Sequence, residues 1–302
     1  MTISTPCFST IGLVISSHYR QDNRRLLDVI ATTERILVQC GSRPVLCISS
    51  ANAQLDSLAW TSLTHPEIPE EIDLLIAIGG DGTFLNAAHI AAPLGIPVIG
   101  IHAGRLGFMA DITTQDLQTS LVAILEGQYV IEQRLMLQAE IQRQDQCLAT
   151  GYALNDVVIN KRDIARMMEY DISIDGRYVS NHRADGLIVA TPTGSTAYAL
   201  SSGGPIIYPD MDAIVLVPIC PHTLSDRSMV INGRHVIEVE VEDRHIAHTQ
   251  LTCDGQRTRN LAYGDTVRVQ CAPFRLMIVH PLNHDYFKIL RAKLNWGKGN
   301  KA

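Results

Sequence analysis

The sequence predicts an α/β N-terminal domain with a parallel sheet, an all-β C-terminal domain, and a C-terminal helix that returns to the first domain. Three patterns carry this reading. Over the first 125 residues or so, short apolar runs alternate with segments of helical period, as strands joined by crossover helices do. From about Tyr129 the apolar period shortens to two, the mark of half-buried antiparallel strands. From Asp285 to Leu294 a helical period returns. These patterns divide the chain into residues 1–127, 128–280 and 281–302.

Each element follows from local chemistry. Ile11 to Ser16 is an apolar first strand. Asp22 to Gln39 places Leu26, Leu27, Ile30, Ile36 and Leu37 on one helical face, and Gly41 follows as a C-cap. Val45 to Ile48 and Leu74 to Ile78 are the second and third strands, and a helix is expected from about Phe84 to Ala91. Pro97 to Ile101 is the fourth strand, Gly104 to Gly107 a loop, and Asp116 to Glu126 a helix ending at Gly127. Such alternation implies helices on both faces of the sheet, with ligands beyond the carboxyl ends of its strands. In the second domain Met168, Tyr170, Ile172 and Ile174 alternate with polar residues, as do Ile237, Val239 and Val241, then Val267, Val269 and Cys271. Asp175-Gly176 and Asn232-Gly233 have the composition of hairpin turns.

Composition narrows the function. The chain has 302 residues, 46% hydrophobic and 19% charged, with a net charge of −6. There is no extended basic field, which argues against nucleic acid and anionic membrane as partners. A phosphorylated ligand must then be met by local arginines, backbone amides or a metal ion. Seven cysteines are scattered without a CxxC pair, as expected of reduced core thiols in a cytoplasmic protein. No run reaches membrane-spanning length.

The most informative junction is Gly79-Gly80-Asp81-Gly82-Thr83, directly after the third strand. Glycines around an aspartate let backbone N–H groups close on a bulky anion, and the following helix N-terminus favours negative charge. A carboxylate among those amides suits a site that takes a proton or holds a metal beside a phosphate. A tight turn with an N-capping Asp is the plainer alternative.

A second segment, Asp185 to Ile206, runs from the short strand Leu187 to Ala190 into a stretch crowded with hydroxyls and glycines. Small hydroxyls and exposed amides suit a nucleotide's ribose and phosphate, and Asp185 could accept hydrogen bonds from ribose hydroxyls or an amine. Local side-chain-to-backbone turns are the competing explanation. Asn155-Asp156 interrupts the strand-like run Ala153 to Ile159, so the pair either faces a cleft or sits at a bulge. Cys253-Asp254-Gly255-Gln256 reads as a tight turn.

Taken together, these segments resemble the bacterial NAD kinase family over nearly the whole chain. Gly79 to Thr83 matches its GGDGT motif, which diacylglycerol-kinase and phosphofructokinase relatives share. Asp185 to Ile206 matches the more specific DGLI-x-x-TPTGSTAY segment. Asn155-Asp156, Pro221-His222-Thr223-Leu224, Cys253 to Gln256 and the terminal Asp285-Tyr286-Phe287 with Lys293-Leu294-Asn295-Trp296 also fit.

The resemblance implies transfer of phosphate from ATP, or in some members polyphosphate, to the 2′-hydroxyl of the adenosine ribose of NAD. It implies Mg²⁺ or Mn²⁺ as cofactor, with no metal ligand nameable, a cytoplasmic location, and a homodimer or homotetramer. It assigns Asp81 as the catalytic base and Gly79, Gly80, Gly82 and Thr83 to the donor phosphates. NAD contacts would come from Asp81, Gly82, Asn155, Asp156, Arg166, Arg183, Asp185, Gln256 and the stretch Thr196, Ala197, Tyr198, Ala199, Leu200 and Ser201. Arg105 ranks below these as a phosphate contact. Two positions depart from common family variants: Asn86 stands where many members carry histidine, and Asp156 is one methylene shorter than the frequent glutamate.

Two other readings compete with this one. A lipid or sugar kinase of the same superfamily would want an apolar groove or basic surface, and the hydroxyl-rich stretch favours a nucleotide acceptor instead. A non-catalytic dinucleotide sensor is disfavoured by the presence of Asp81. A dehydrogenase would show GxGxxG after the first strand, and none is there.

Overall fold

The structure is a computed structural model describing residues 7–16, 24–49, 71–104, 107–144, 146–161, 167–223, 225–241, 249–255 and 257–295. They form two compact units, one holding the chain up to Gln133 together with the segment from Leu276 onward, the other holding Arg134–Arg275.

The first unit runs β1 (Thr10–Ser16), α1 (Arg24–Gln39), β2 (Arg43–Ser49), β3 (Leu74–Gly79), α2 (Asp81–Leu94), β4 (Val98–His102) and α3 (Leu117–Leu125). The strands pair in parallel in the order β2-β1-β3-β4. Ile11, Leu13, Leu74, Ile76, Ile78, Ile99 and Ile101 pack with Leu26, Ile36 and Leu37 of α1 and with Leu117, Leu121 and Ile124 of α3. Val14, Leu75, Ala77 and Val98, the alternate residues, are equally buried, and α2 contacts β1, β3 and β4. Both faces are therefore covered, and this is why the strands read as continuous apolar runs rather than alternating ones. Gly41 caps α1 at a φ of 86°, with Gly41 and Ser42 donating to the carbonyls of Val38 and Leu37.

The other strands are β5 (Tyr129–Arg143), β6 (Gln146–Ala153), β7 (Asp156–Lys161), β8 (Met168–Ile174), β9 (Arg177–Ala184), β10 (Gly186–Ala190), β11 (Ala213–Ile219), β12 (Met229–Asn232), β13 (Ile237–Val241), β14 (Thr249–Cys253), β15 (Arg257–Asn260) and β16 (Thr266–Pro281). Two helices complete the set, α4 (Tyr198–Ser201) and α5 (Tyr286–Leu294). In the second unit, β12-β11-β10-β7-β14-β15 forms an antiparallel six-stranded sheet. A further antiparallel run pairs β16 with β13, β13 with β8 and β8 with β9. Their inward residues, among them Leu137, Val157, Ile159, Tyr170, Leu187, Val239, Leu251 and Val267, form one core. In the first unit, Ile278 near the end of β16 pairs in parallel with Val98, and α5 follows, so the C-terminal helix belongs to the α/β unit as expected.

Three sequence expectations are corrected. The helix after the glycine turn runs from Asp81 to Leu94 rather than from Phe84 to Ala91; Gly80 caps it, so the plainer alternative of an N-capping Asp81 does not hold either. An acid in a first turn is favoured by the helix dipole, which accounts for the earlier start. Asn232-Gly233 is not a hairpin turn, because β12 pairs with β11 while β13 pairs with β8 and β16. Asp175-Gly176 is one, with both residues at positive φ. The cysteines are not uniformly core thiols: Cys253 is buried, Cys40 and Cys271 are intermediate, and Cys7, Cys147 and Cys220 are exposed.

Candidate active site

In the first unit, β3 delivers its chain end to a half-buried Gly79, and the next three residues turn outward. Gly80 and Gly82 are exposed, Asp81 is half-buried between them and Thr83 is buried. The carbonyl of Gly80 accepts from the N–H groups of Thr83 (3.0 Å) and Phe84 (3.1 Å), which closes the first turn of α2. Around Gly80 an added Cβ would meet nothing within 4 Å, so the space is open to a ligand. The Asp81 carboxylate is oriented from behind: the N–H groups of Phe108 and Met109 each donate to it at 3.4 Å. These are long contacts that aim the group without saturating its lone pairs. Gly107 lies so close that a Cβ there would stand 2.9 Å from the Asp81 Cγ and nearer still to Oδ1.

In the second unit, Asn155 and Asp156 sit where β6 ends and β7 begins, both buried. The break is held by Asp254, whose carboxylate accepts from the N–H groups of Leu154 (2.8 Å), Asn155 (2.7 Å) and Asp156 (3.1 Å). Asp254 reaches them from a turn in which it and Gly255 both have positive φ. Burial, with the Asp254 charge adding to it, pushes the Asp156 carboxyl up to about 7. Asp156 therefore carries a proton part of the time at neutral pH and can donate as well as accept.

The hydroxyl-rich turn spends most of its hydroxyls on itself. Thr191 Oγ1 donates to the Leu154 carbonyl (2.5 Å) and accepts from the Gly194 N–H (3.1 Å). Ser195 Oγ donates to the Pro192 carbonyl (2.6 Å) and accepts from the Ile207 N–H (3.0 Å). Thr196 Oγ1 donates to the Thr193 carbonyl (3.1 Å), and Thr193 Oγ1 accepts from Arg134 (3.1 Å). The expectation that these groups meet ribose and phosphate is corrected for Thr191, Thr193 and Ser195, which are buried. What the turn presents outward is Tyr198 and Ser201, both exposed, with Thr196, Ala197 and Leu200 half-buried and Ala199 buried.

Asp185 is held by Lys161 at 2.7 Å. Burial, then the charges of Cys220, Asp156 and Asp185, raises the Tyr198 phenol above its ordinary value, so each of these groups lies within electrostatic reach of Tyr198. Asn155, Asp156, Asp185 and the Thr196–Ser201 stretch are thus brought together. Arg183 is exposed on β9, and its carbonyl accepts the His222 N–H (2.9 Å), a contact outside that group. Arg166, Gln256 and Arg105 lie outside the described residues. Sequence reasoning missed Lys161 and Arg134, which carry no local motif. It also took the Cys253 to Gln256 turn without seeing that Asp254 anchors the Asn155-Asp156 break.

A parallel sheet ending in a carboxylate-bearing glycine turn, and a β unit with a cluster of polar side chains, are the features of a nucleotide-dependent phosphotransferase. Residues 22–129 match the model of the ATP-NAD kinase N-terminal domain, and residues 154–281 match that of the ATP-NAD kinase C-terminal domain. An NAD kinase of Nitrosococcus oceani is 42% identical over 292 residues, covering 96% of this chain and 98% of the relative. The fold is that of a yeast NADH kinase solved with NADH (TM-score 0.81, 23% identity, 97% of this chain and 89% of that one). It is also that of an Archaeoglobus fulgidus NAD kinase solved with ATP (TM-score 0.70, 24% identity, 94% of this chain and 98% of that one). The chain belongs to the NAD kinase family.

Proposed function

We propose that the chain transfers the terminal phosphate of ATP to the 2′-hydroxyl of the adenosine ribose of NAD, giving ADP and NADP. The observation that carries the mechanism is the Asp81 carboxylate, half-exposed at the start of α2 between two exposed glycines and aimed by the Phe108 and Met109 amides. Asp81 accepts the proton of the 2′-hydroxyl as the ribose oxygen bonds to the terminal phosphorus and the bond from that phosphorus to ADP breaks. The exposed Gly80–Gly82 turn at the N-terminus of α2, flanked by Gly79 and Thr83, receives the donor phosphates. Asn155, Asp156, Asp185, Tyr198 and Ser201 hold the coenzyme by hydrogen bonds, with Arg166, Arg183 and Gln256 as further contacts.

A divalent ion, Mg²⁺ or Mn²⁺, fits this arrangement, because among the described residues Asp81 accepts only the two long amide contacts and Mg²⁺ is commonly held by one or two carboxylates together with substrate phosphates. When bound, it would neutralise phosphate charge on a protein that is itself acidic. We further propose a homodimer or homotetramer, a cytoplasmic location, and polyphosphate as a second donor. No helix among the described residues is long and apolar enough to cross a membrane.

The test is product analysis. The protein is incubated with ATP, Mg²⁺ and NAD, NADH or diacylglycerol, and the 2′-phosphorylated coenzyme is quantified. NADP should accumulate with ADP, and Asp81→Asn should lower turnover by ~10²–10⁴ with far less change in NAD binding. Phosphorylated lipid without NADP would overturn the reading.

A further inference from the structure

The first unit holds a cluster of side chains able to ligate a metal ion that shares no residue with the glycine turn. Parallel pairing with β3 occupies one edge of β4. The other edge takes Ile278 of β16 and an isolated bridge between Ile101 and Ile112, with the Ile112 N–H donating to the Gly100 carbonyl and the His102 N–H donating to that of Ile112. Two different segments are thereby fixed along one strand edge. Asp111 immediately precedes Ile112, and His280 lies two residues beyond Ile278. The chain then turns, the His284 N–H donating to the Pro281 carbonyl (3.0 Å), before Asp285 caps α5. That turn stacks the His284 ring on the His280 ring, with centroids 3.9 Å apart.

Both imidazoles present Nδ1 to the same oxygen of Asp111; the His284 contact is 2.7 Å and the His280 contact is shorter. One donor atom from each of the three residues lies within 4.8 Å of the others. The second Asp111 oxygen, Oδ1, is buried and accepts no hydrogen bond among the described residues. On the far side of the His280 ring, Nε2 meets Glu132 at 3.0 Å. A carboxylate on the outer nitrogen of a histidine is the arrangement that orients metal-bound imidazoles and raises their basicity. His280 is 3% exposed, whereas Asp111 and His284 also line a cavity of about 190 Å³ with Asp116, Ser120 and Lys288. The three ligands thus have a way in for an ion and room for water in a fourth position.

We propose that Asp111, His280 and His284 bind one transition-metal ion of the Zn²⁺, Co²⁺ or Ni²⁺ class, with Glu132 orienting His280. Two nitrogens and one carboxylate oxygen suit these ions and not Mg²⁺, which prefers oxygen and octahedral geometry. Bond lengths of about 2.0–2.2 Å require the carboxylate to withdraw slightly from the imidazoles as the ion replaces the shared protons. Bound metal ties the C-terminal segment to Asp111, two residues from the Met109 amide that aims Asp81. The site therefore links metal occupancy to the segment behind the carboxylate of the glycine turn.

The experiment uses the full chain, stripped with chelator and titrated with Co²⁺ in excess Mg²⁺. The wild type should develop the intense visible absorption of low-coordinate Co²⁺ at one equivalent and gain thermal stability. Asp111→Asn and His284→Asn should lose both responses, and Glu132→Gln should bind ~10–100-fold more weakly. Metal-free melting curves establish that each variant is folded, and His284→Asn, at the most exposed ligand, is the variant least exposed to misfolding. Absence of the absorption in the wild type would overturn the proposal, as would absorption of equal strength in folded His284→Asn. Either result would leave a hydrogen-bonded clasp in place of a metal site, and neither bears on whether NADP is formed.

Discussion

Gly107→Ala puts a defined pressure on the carboxylate that the mechanism depends on. The new Cβ would stand 2.9 Å from the Asp81 Cγ, 3.2 Å from Oδ2 and closer still to Oδ1. Ordinary contact begins at about 3.4 Å, so the carboxylate must swing away by on the order of 1 Å, and the amides of Phe108 and Met109 lose their aim. The obstacle is the end of one half-exposed side chain, and Gly107 does not occupy a positive φ, so the backbone tolerates alanine. Overpacking should therefore cost no more than about 1–3 kcal/mol, and the variant should fold. Displacement of a reacting group by 1 Å costs about 10²-fold in rate. The expected result is kcat lower by about 100-fold at saturating ATP and NAD, with both KM values changed by less than about 3-fold, since uniform binding is untouched. Steady-state kinetics beside a melting curve measures both. A folded variant with wild-type kcat would refute the orientation argument.

Other perturbations test the remaining parts. Gly80→Ala adds a Cβ into open space, so it should leave the melting temperature unchanged while raising KM for ATP, because the phosphates lose their close approach to the turn; an unchanged KM would remove Gly80 from the donor site. Ser195→Ala orphans the buried Ile207 N–H and should cost about 1–3 kcal/mol, read by denaturant unfolding. Asp156 supplies a pH signature. Its carboxyl sits at about 7 in the folded chain, above the unfolded value, so its contribution favours folding at low pH and is lost as pH rises from about 4 through 7. The span of roughly three pKa units corresponds to about 4 kcal/mol. Asp156→Asn should flatten the fall in stability across that window, followed by unfolding titrations of the coenzyme-free protein; a slope unchanged from wild type would mean that Asp156 ionises normally.

Much of the fold could be read because each unit repeats one pattern. Continuous apolar runs such as Leu74 to Ile78 belong to strands covered on both faces, and strict alternation such as Ile237 to Val241 belongs to a half-covered sheet. Glycine turns were legible where positive φ is required, at Gly41 and Gly176. Asn232-Gly233 misled because a turn dipeptide says nothing about which strands pair across it. The strand–glycine–acid–helix junction at Asp81 was legible from local chemistry, since its parts are contiguous. The hydroxyl-rich segment was only half legible: its composition marks an unusual turn, but whether Thr191 and Ser195 point outward or close on Leu154, Pro192 and Ile207 depends on residues far along the chain. Asp254 holding the break at Asn155 was invisible for the same reason, with about a hundred residues between donor and acceptor. His280, His284 and Asp111 likewise meet only because β4 offers them one edge.

The central claim is that Asp81 takes the proton from the coenzyme's 2′-hydroxyl. The most direct measurement is a crystal structure of the protein with NAD and a non-hydrolysable ATP analogue. The account predicts the ribose 2′-oxygen within hydrogen-bond reach of an Asp81 oxygen, about 2.6–3.2 Å, and the donor phosphates against Gly79 to Thr83. A coenzyme bound with its adenosine ribose held away from Asp81, in crystals that still turn over, would contradict it.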